Sequence, residues 1–264
     1  MKHLLKMEWR KAITLQKILL CLAVIFIPTS FQFFIVKTGY TFYRPVDVHA
    51  EVVGNVIALL FPLLFIVLYA NSFAAERKDN FIAYTKIRAR LSHYIMAKGI
   101  VNAGMVFVVA FAMVFLPFVF LVFIEPSIGL IVYESRSPGS FSSSIGTLEI
   151  FLQYGSLTYG IIFSTWIAIN AVLYATAAYV LTLIIKNNFL ALSLPFLWYF
   201  VMNFIASILG HPEFSTTSTV FPFNITAQPI WTILIPFSVH LLFLSILIAY
   251  VNKDYKENVY EYAD

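Results

Sequence analysis

Gly99-Ile-Val-Asn-Ala-Gly-Met-Val-Phe-Val-Val-Ala-Phe-Ala-Met-Val-Phe-Leu-Pro-Phe-Val-Phe-Leu-Val-Phe-Ile124 runs for 26 residues without an Asp, Glu, Lys or Arg. A helix crossing about 30 Å of hydrocarbon needs roughly 20 such residues. The same property recurs over 18–36, 52–75, 150–185, 187–212 and 214–252. These windows predict six spans, at about 18–36, 54–73, 96–123, 155–185, 189–209 and 230–251. Transmembrane barrel strands are short and alternating, so continuous runs of this length exclude a barrel. The expected fold is all-α and polytopic, a single transmembrane domain over 1–264.

Composition agrees. Of 264 residues 61% are apolar and 11% charged, with mean hydropathy +0.86, against about 25% charged in an ordinary soluble domain. The 27 Phe and 15 Tyr exclude a disordered chain. A single cysteine, Cys21, excludes a disulfide framework.

Basic residues orient the spans. With both termini in the cytoplasm, 14 Lys and Arg fall in inner segments, and only Lys37, Arg44 and Arg136 fall outside. The positive charge thus reports topology and gives no reason to invoke nucleic acid. No small-residue cleavage site follows the first apolar run, so that run is expected to stay as the first helix.

Residues 1–17 predict an amphipathic helix lying in the inner interface. Lys2, Lys6 and Arg10 repeat every four residues on one face, with Leu5, Trp9, Ala12 and Ile13 on another. The inner segment 73–98 concentrates eight charges: Glu76, Arg77, Lys78, Asp79, Lys86, Arg88, Arg90 and Lys98. Phe81, Ile82 and Tyr84 stand inside that charged run. Either a short helix presents them to a protein partner, or the segment is a solvated loop obeying the charge rule. Outside, 135–144 reads as an irregular loop. Residues 210–229, broken by Gly210, Pro212, Pro222 and Pro229, predict apolar elements re-entering the outer leaflet. Asn224-Ile225-Thr226 matches a glycosylation sequon, a weak three-residue signal.

Motifs for chemistry are missing. The sequence has no P-loop, no H-E-x-x-H pair, no G-x-S-x-G elbow and no acidic metal cluster. The reading is that the chain is not an enzyme and holds no cofactor or metal. His240 is the one ionisable side chain expected mid-span. A hydrogen bond to a neighbouring helix explains it; the alternative is a self-contained secondary transporter or channel that uses it. Pro28, Pro62, Pro117, Pro195 and Pro236 predict kinks within the spans.

This order of parts resembles the permease subunit of type-2 ATP-binding cassette (ABC) exporters. The features are an interfacial helix, six spans, the longest inner segment after the second span, and a Pro-broken outer segment before the sixth. The local match runs from Glu76 through Phe81, Ile82 and Tyr84 and Arg88-Ala-Arg90 to Lys98. Asn80 replaces a customary glycine, and the turn lacks its proline. The resemblance implies a dimer with an identical or homologous second permease in a membrane, expected to be the bacterial plasma membrane. Two separate ATPase subunits would bind ATP and Mg. It places a coupling helix within 74–92, with Glu76, Arg77, Lys78, Asp79, Phe81, Ile82 and Tyr84 meeting the ATPase. It lines the path with Asn55, Phe61, Phe65 and Tyr69 on the second span and Phe196, Trp198, Phe200 and Asn203 on the fifth. Such an aromatic lining suits an amphipathic cargo: a peptide such as an antimicrobial peptide first, a lipid or drug next.

Overall fold

The computed structural model describes residues 1–69, 76, 91–134, 146–222 and 228–257, with only the backbone of Tyr69 and of 254–257. Apart from one isolated bridge, its regular structure is helical. Helix α1 (Lys2–Ala12) ends at Ile13, and α2 (Leu15–Gly39) begins two residues later. A short helix α3 (Pro45–Val53) leads into α4 (Asn55–Tyr69). The long α5 (Leu91–Ile128) includes a π-helical turn at Phe120–Ile124. After it come a 3-10 segment (Thr147–Tyr154), α6 (Ser156–Ile184) and α7 (Asn188–Ile208). A five-residue helix α8 (Thr216–Val220) and α9 (Trp231–Glu257) complete the order.

Five of these, α2, α5, α6, α7 and α9, are long and apolar enough to cross a membrane. The pair α3 and α4, bent by 49°, brings the number to six if it is one span. The bend lies at Gly54-Asn55, where Asn55 has φ +44°. Asparagine tolerates this left-handed conformation better than most residues, and its side-chain amide donates to Glu51 Oε2 at 3.0 Å.

Helix α6 is the axis of the bundle. Within the apolar windows 67% of α6 is buried, against 17–33% in the other four spans. Ala168, Ala171, Ala175 and Ala178 are fully buried along it, and small residues let neighbouring backbones approach closely in lipid. Gly160 is the tightest point: a Cβ there would lie 2.2 Å from Phe118 Cε1.

Backbone carbonyls near two of the helix prolines receive partners from neighbouring helices. Pro62 has no N–H for the carbonyl of Ala58 one turn before it; Tyr199 Oη of α7 donates to that carbonyl at 2.8 Å. Near Pro117, His49 Nε2 lies 3.1 Å from the Val114 carbonyl. Such replacement is what a low-dielectric environment demands of a freed backbone group.

The 210–229 stretch includes helical turns packed on the bundle. Ser215 caps α8 by accepting from the Ser218 N–H at 3.1 Å. Thr216 donates to the Tyr199 carbonyl at 2.6 Å, and Trp166 Nε1 donates to the Thr219 carbonyl at 2.7 Å. Phe221 then meets Phe61 edge-on at 5.3 Å.

Phe118 is itself hemmed in by the rings of His49, Phe115, Phe123 and Tyr159. Gly160→Ala therefore forces a ring that has nowhere to go, at about 1–3 kcal/mol of overpacking. A lowered thermal midpoint in detergent is expected; an unchanged midpoint would refute the close approach.

Candidate functional site

One cluster of described ionisable groups lies at the inner end of α5, as the sequence reading orients it. Tyr94 and Lys98 are four residues apart and so lie on one face of α5. Both are fully buried. Glu8, also fully buried, faces them from α1. Glu76 is the one described residue between 70 and 90.

Lys98 Nζ donates to Glu8 Oε2 at 3.1 Å and to Glu76 Oε2 at 2.8 Å. Lys11 Nζ meets the other oxygens, Glu8 Oε1 at 2.9 Å and Glu76 Oε1 at 3.1 Å. Tyr94 Oη donates to Glu76 Oε2. Each lysine thus bridges both acids, and both ammonium groups also lie over the Tyr94 ring, at 5.5 and 5.7 Å. Lys17 of α2 donates to the Lys11 carbonyl at 3.2 Å, tying down the end of α1. An apolar contact of Ala12, Val101 and Met105, with Leu5 and Cys21 against it, completes the dock.

Burying one ion without a partner is expensive, so removing one member of such a network costs about 3–5 kcal/mol. The network joins stretches of chain up to 90 residues apart. Burial alone would raise the Glu76 carboxyl pKa, but hydrogen bonds from Lys98 and Tyr94 outweigh it and hold it below its ordinary 4.5. Burial likewise works against the Lys11 ammonium, and its hydrogen bonds to Glu8 and Glu76 leave its pKa raised.

A second charged cluster lies at the far end of α2. Arg44 Nε donates to Asp47 Oδ1 at 3.1 Å, and an Arg44 terminal nitrogen lies 2.9 Å from Glu149 Oε2. Buried Glu125 accepts from the Ile131 N–H at 2.7 Å and from Tyr133 Oη at 2.6 Å. Chemically these are braces. Among the described residues no group of three His, Cys, Asp or Glu is placed to hold a metal.

With five candidate spans, six if the bent pair is one, and their interior polar contacts in place, the class is decided. The chain is a polytopic helical membrane protein. No protein family, no characterised protein and no solved structure matches it.

The membrane protein arranges the sequence-derived candidates unequally. Glu76 enters the buried network. Arg77, Lys78, Asp79, Phe81, Ile82 and Tyr84 lie outside the described residues. On α1, Leu5 is half-buried, whereas Trp9 and Ile13 are exposed. Phe61 and Phe65 are fully buried inside the chain, where Phe61 packs against Tyr174 and Tyr199. Asn55 is exposed, and Phe196, Trp198, Phe200 and Asn203 are half-buried. His240 is buried with its ring edge-on to Tyr174, centroids 4.3 Å apart.

Sequence reasoning missed Glu8, Tyr94 and the pairing of Lys98. One signal was available: Glu8 is the only acid among residues 1–46. A lone carboxylate in a basic leader invites the question of which cation it answers.

Because the folded pKa of Glu76 is depressed, its stabilisation is complete above 4.5 and is lost as pH falls through the folded value. Amide protection over residues 2–12, taken relative to the intrinsic exchange rate at each pH, should therefore stay constant from pH 7 to 5 and fall below 4.5. In Glu76→Gln that acid-dependent fall should shrink. Wild-type protection that stays constant down to pH 3.5 would contradict the assignment.

Proposed function

We propose that this protein is the permease subunit of an ABC exporter, a passive membrane part driven by separate ATPase subunits. The observation that carries the reading is the Glu8–Lys98–Glu76–Lys11 network. It ties Glu76, in the inner segment after α4, to both α1 and α5, so that a push on Glu76 is delivered to two helices at once. A solvated topogenic loop has no need of a fully buried lysine at its end. A span count of five, or six with the bent pair α3 and α4, and the lack of a nucleotide-binding motif fit the same reading.

In this mechanism the ATPases bind ATP and Mg and close on the coupling segment 74–92. Glu76 passes the displacement to Lys98 and Lys11, and α1 tilts together with α5. The chain itself has no catalytic group. It pairs with a second permease, identical or homologous, and the cargo moves outward between them across a membrane, the bacterial plasma membrane by our reading. Phe61 and Phe65 are internal in this conformation. Faces of α4 and α7 open to a partner carry Leu59, Leu60 and Val67, and Leu197, Val201 and Phe204, beside Asn55 and Asn203. That apolar lining with few amides suits an amphipathic peptide before a lipid or drug.

Affinity purification of the tagged chain from its native membrane tests the proposal. A nucleotide-binding subunit should co-purify at one copy per permease, and ATP should drive uptake of an amphipathic peptide into inverted vesicles. Equal flux by the chain alone in liposomes, without any ATPase, would overturn it.

A further inference from the structure

The basic residues of α1 divide into two sets with different surroundings. Lys11 is turned inward to Glu8 and Glu76. Lys2, Lys6 and Arg10 are exposed, and none of them has an acidic partner among the described residues. At four-residue spacing the three form one cationic ridge along the helix.

Lys6 and Arg10 also line a cleft of about 370 Å³, together with His3, Met7 and Lys11. The cleft is open and lies along one face of α1. Its wall is cationic on the side of the ridge and apolar at Met7. Side chains of this kind match a phosphate carrying an apolar tail.

The position of the helix selects the source of that phosphate. Two residues after α1 the chain enters the 25-residue span α2. Trp9, Ile13 and Leu15 are exposed at this junction, by 43, 52 and 74%. Exposed aromatic and aliphatic side chains beside a basic ridge, at the mouth of a span, describe a helix lying where headgroups begin. An acidic protein would meet the ridge, yet it would leave this apolar junction without an occupant.

We propose that the cleft formed by His3, Lys6, Met7, Arg10 and Lys11 is a binding site for the headgroup of an anionic phospholipid. The site is rigid because Glu8, on the opposite side of the same helix, is locked to Lys98 and Lys11. The lipid clamps the outer side of α1 while the ion network clamps the inner side. The site stands whether or not an ATPase drives the protein.

Native mass spectrometry of the detergent-purified full chain, titrated with lipid, tests it. Phosphatidylglycerol is the anionic probe, phosphatidylcholine the zwitterionic control and inorganic phosphate the free-anion control. Wild type should bind phosphatidylglycerol at least tenfold more tightly than phosphatidylcholine. Lys6→Gln/Arg10→Gln should lose that preference, at about fivefold per charge removed, with an unchanged thermal midpoint. Lys37→Gln, altering a cation remote in sequence, should leave binding as it was. Should the double variant unfold, Arg10→Gln alone should still weaken phosphatidylglycerol about fivefold. Equal retention of the two lipids by the wild type overturns the proposal. So does full retention of phosphatidylglycerol by the folded double variant, or displacement of the lipid by equimolar phosphate.

Discussion

A lysine ammonium that sees no water must be answered by carboxylates, and Lys98 is answered by two. That electrostatic requirement governs the inner end of the molecule. It holds Glu8, and therefore α1, against α5, and it holds Glu76 at the same point. Lys11 closes the square from the α1 side, and Tyr94 donates its hydroxyl to Glu76 while its ring faces both ammonium groups. A network of this kind adds little net stability relative to an apolar core of the same shape, but it punishes the loss of any one member. Here it ties three remote stretches of chain, through Glu8 and Lys11, Glu76, and Lys98, to one point.

Above that base the bundle follows from the chemistry of a helix in lipid. α6 supplies small residues on which α5 packs, and prolines break backbone bonds at defined levels. Side chains from neighbours restore those bonds, as Tyr199 does for Ala58. That bond ties α4 at the level of Pro62 to α7. At the far end of α2, the Arg44–Asp47–Glu149 and Glu125–Tyr133 contacts brace the connecting segments.

Much of the fold was legible from local pattern. Charge-free windows mark the spans because hydrocarbon admits no other long run, and the prolines within those windows do lie inside helices. Helix α3 escaped notice because Asp47, His49 and Glu51 interrupt its apolar residues over only nine positions. The ion network escaped for a different reason. Glu8 and Lys98 are 90 residues apart, and no periodicity records a partner at that distance. Lys98 was counted with the cationic flank that sets topology, although its side chain is fully buried. For Phe61 and Phe65, helical position identified an aromatic face but not which neighbour covers it; Phe221 and Tyr199 do.

The central claim is that α1 and α5 form one rigid lever through Lys98. A spin-label distance between Lys6 and Met96, both exposed, measures it directly in a Cys21→Ser background. The account predicts a single narrow distance in the wild type and a broad, lengthened distribution in Lys98→Met. The same narrow distance in both proteins would contradict it.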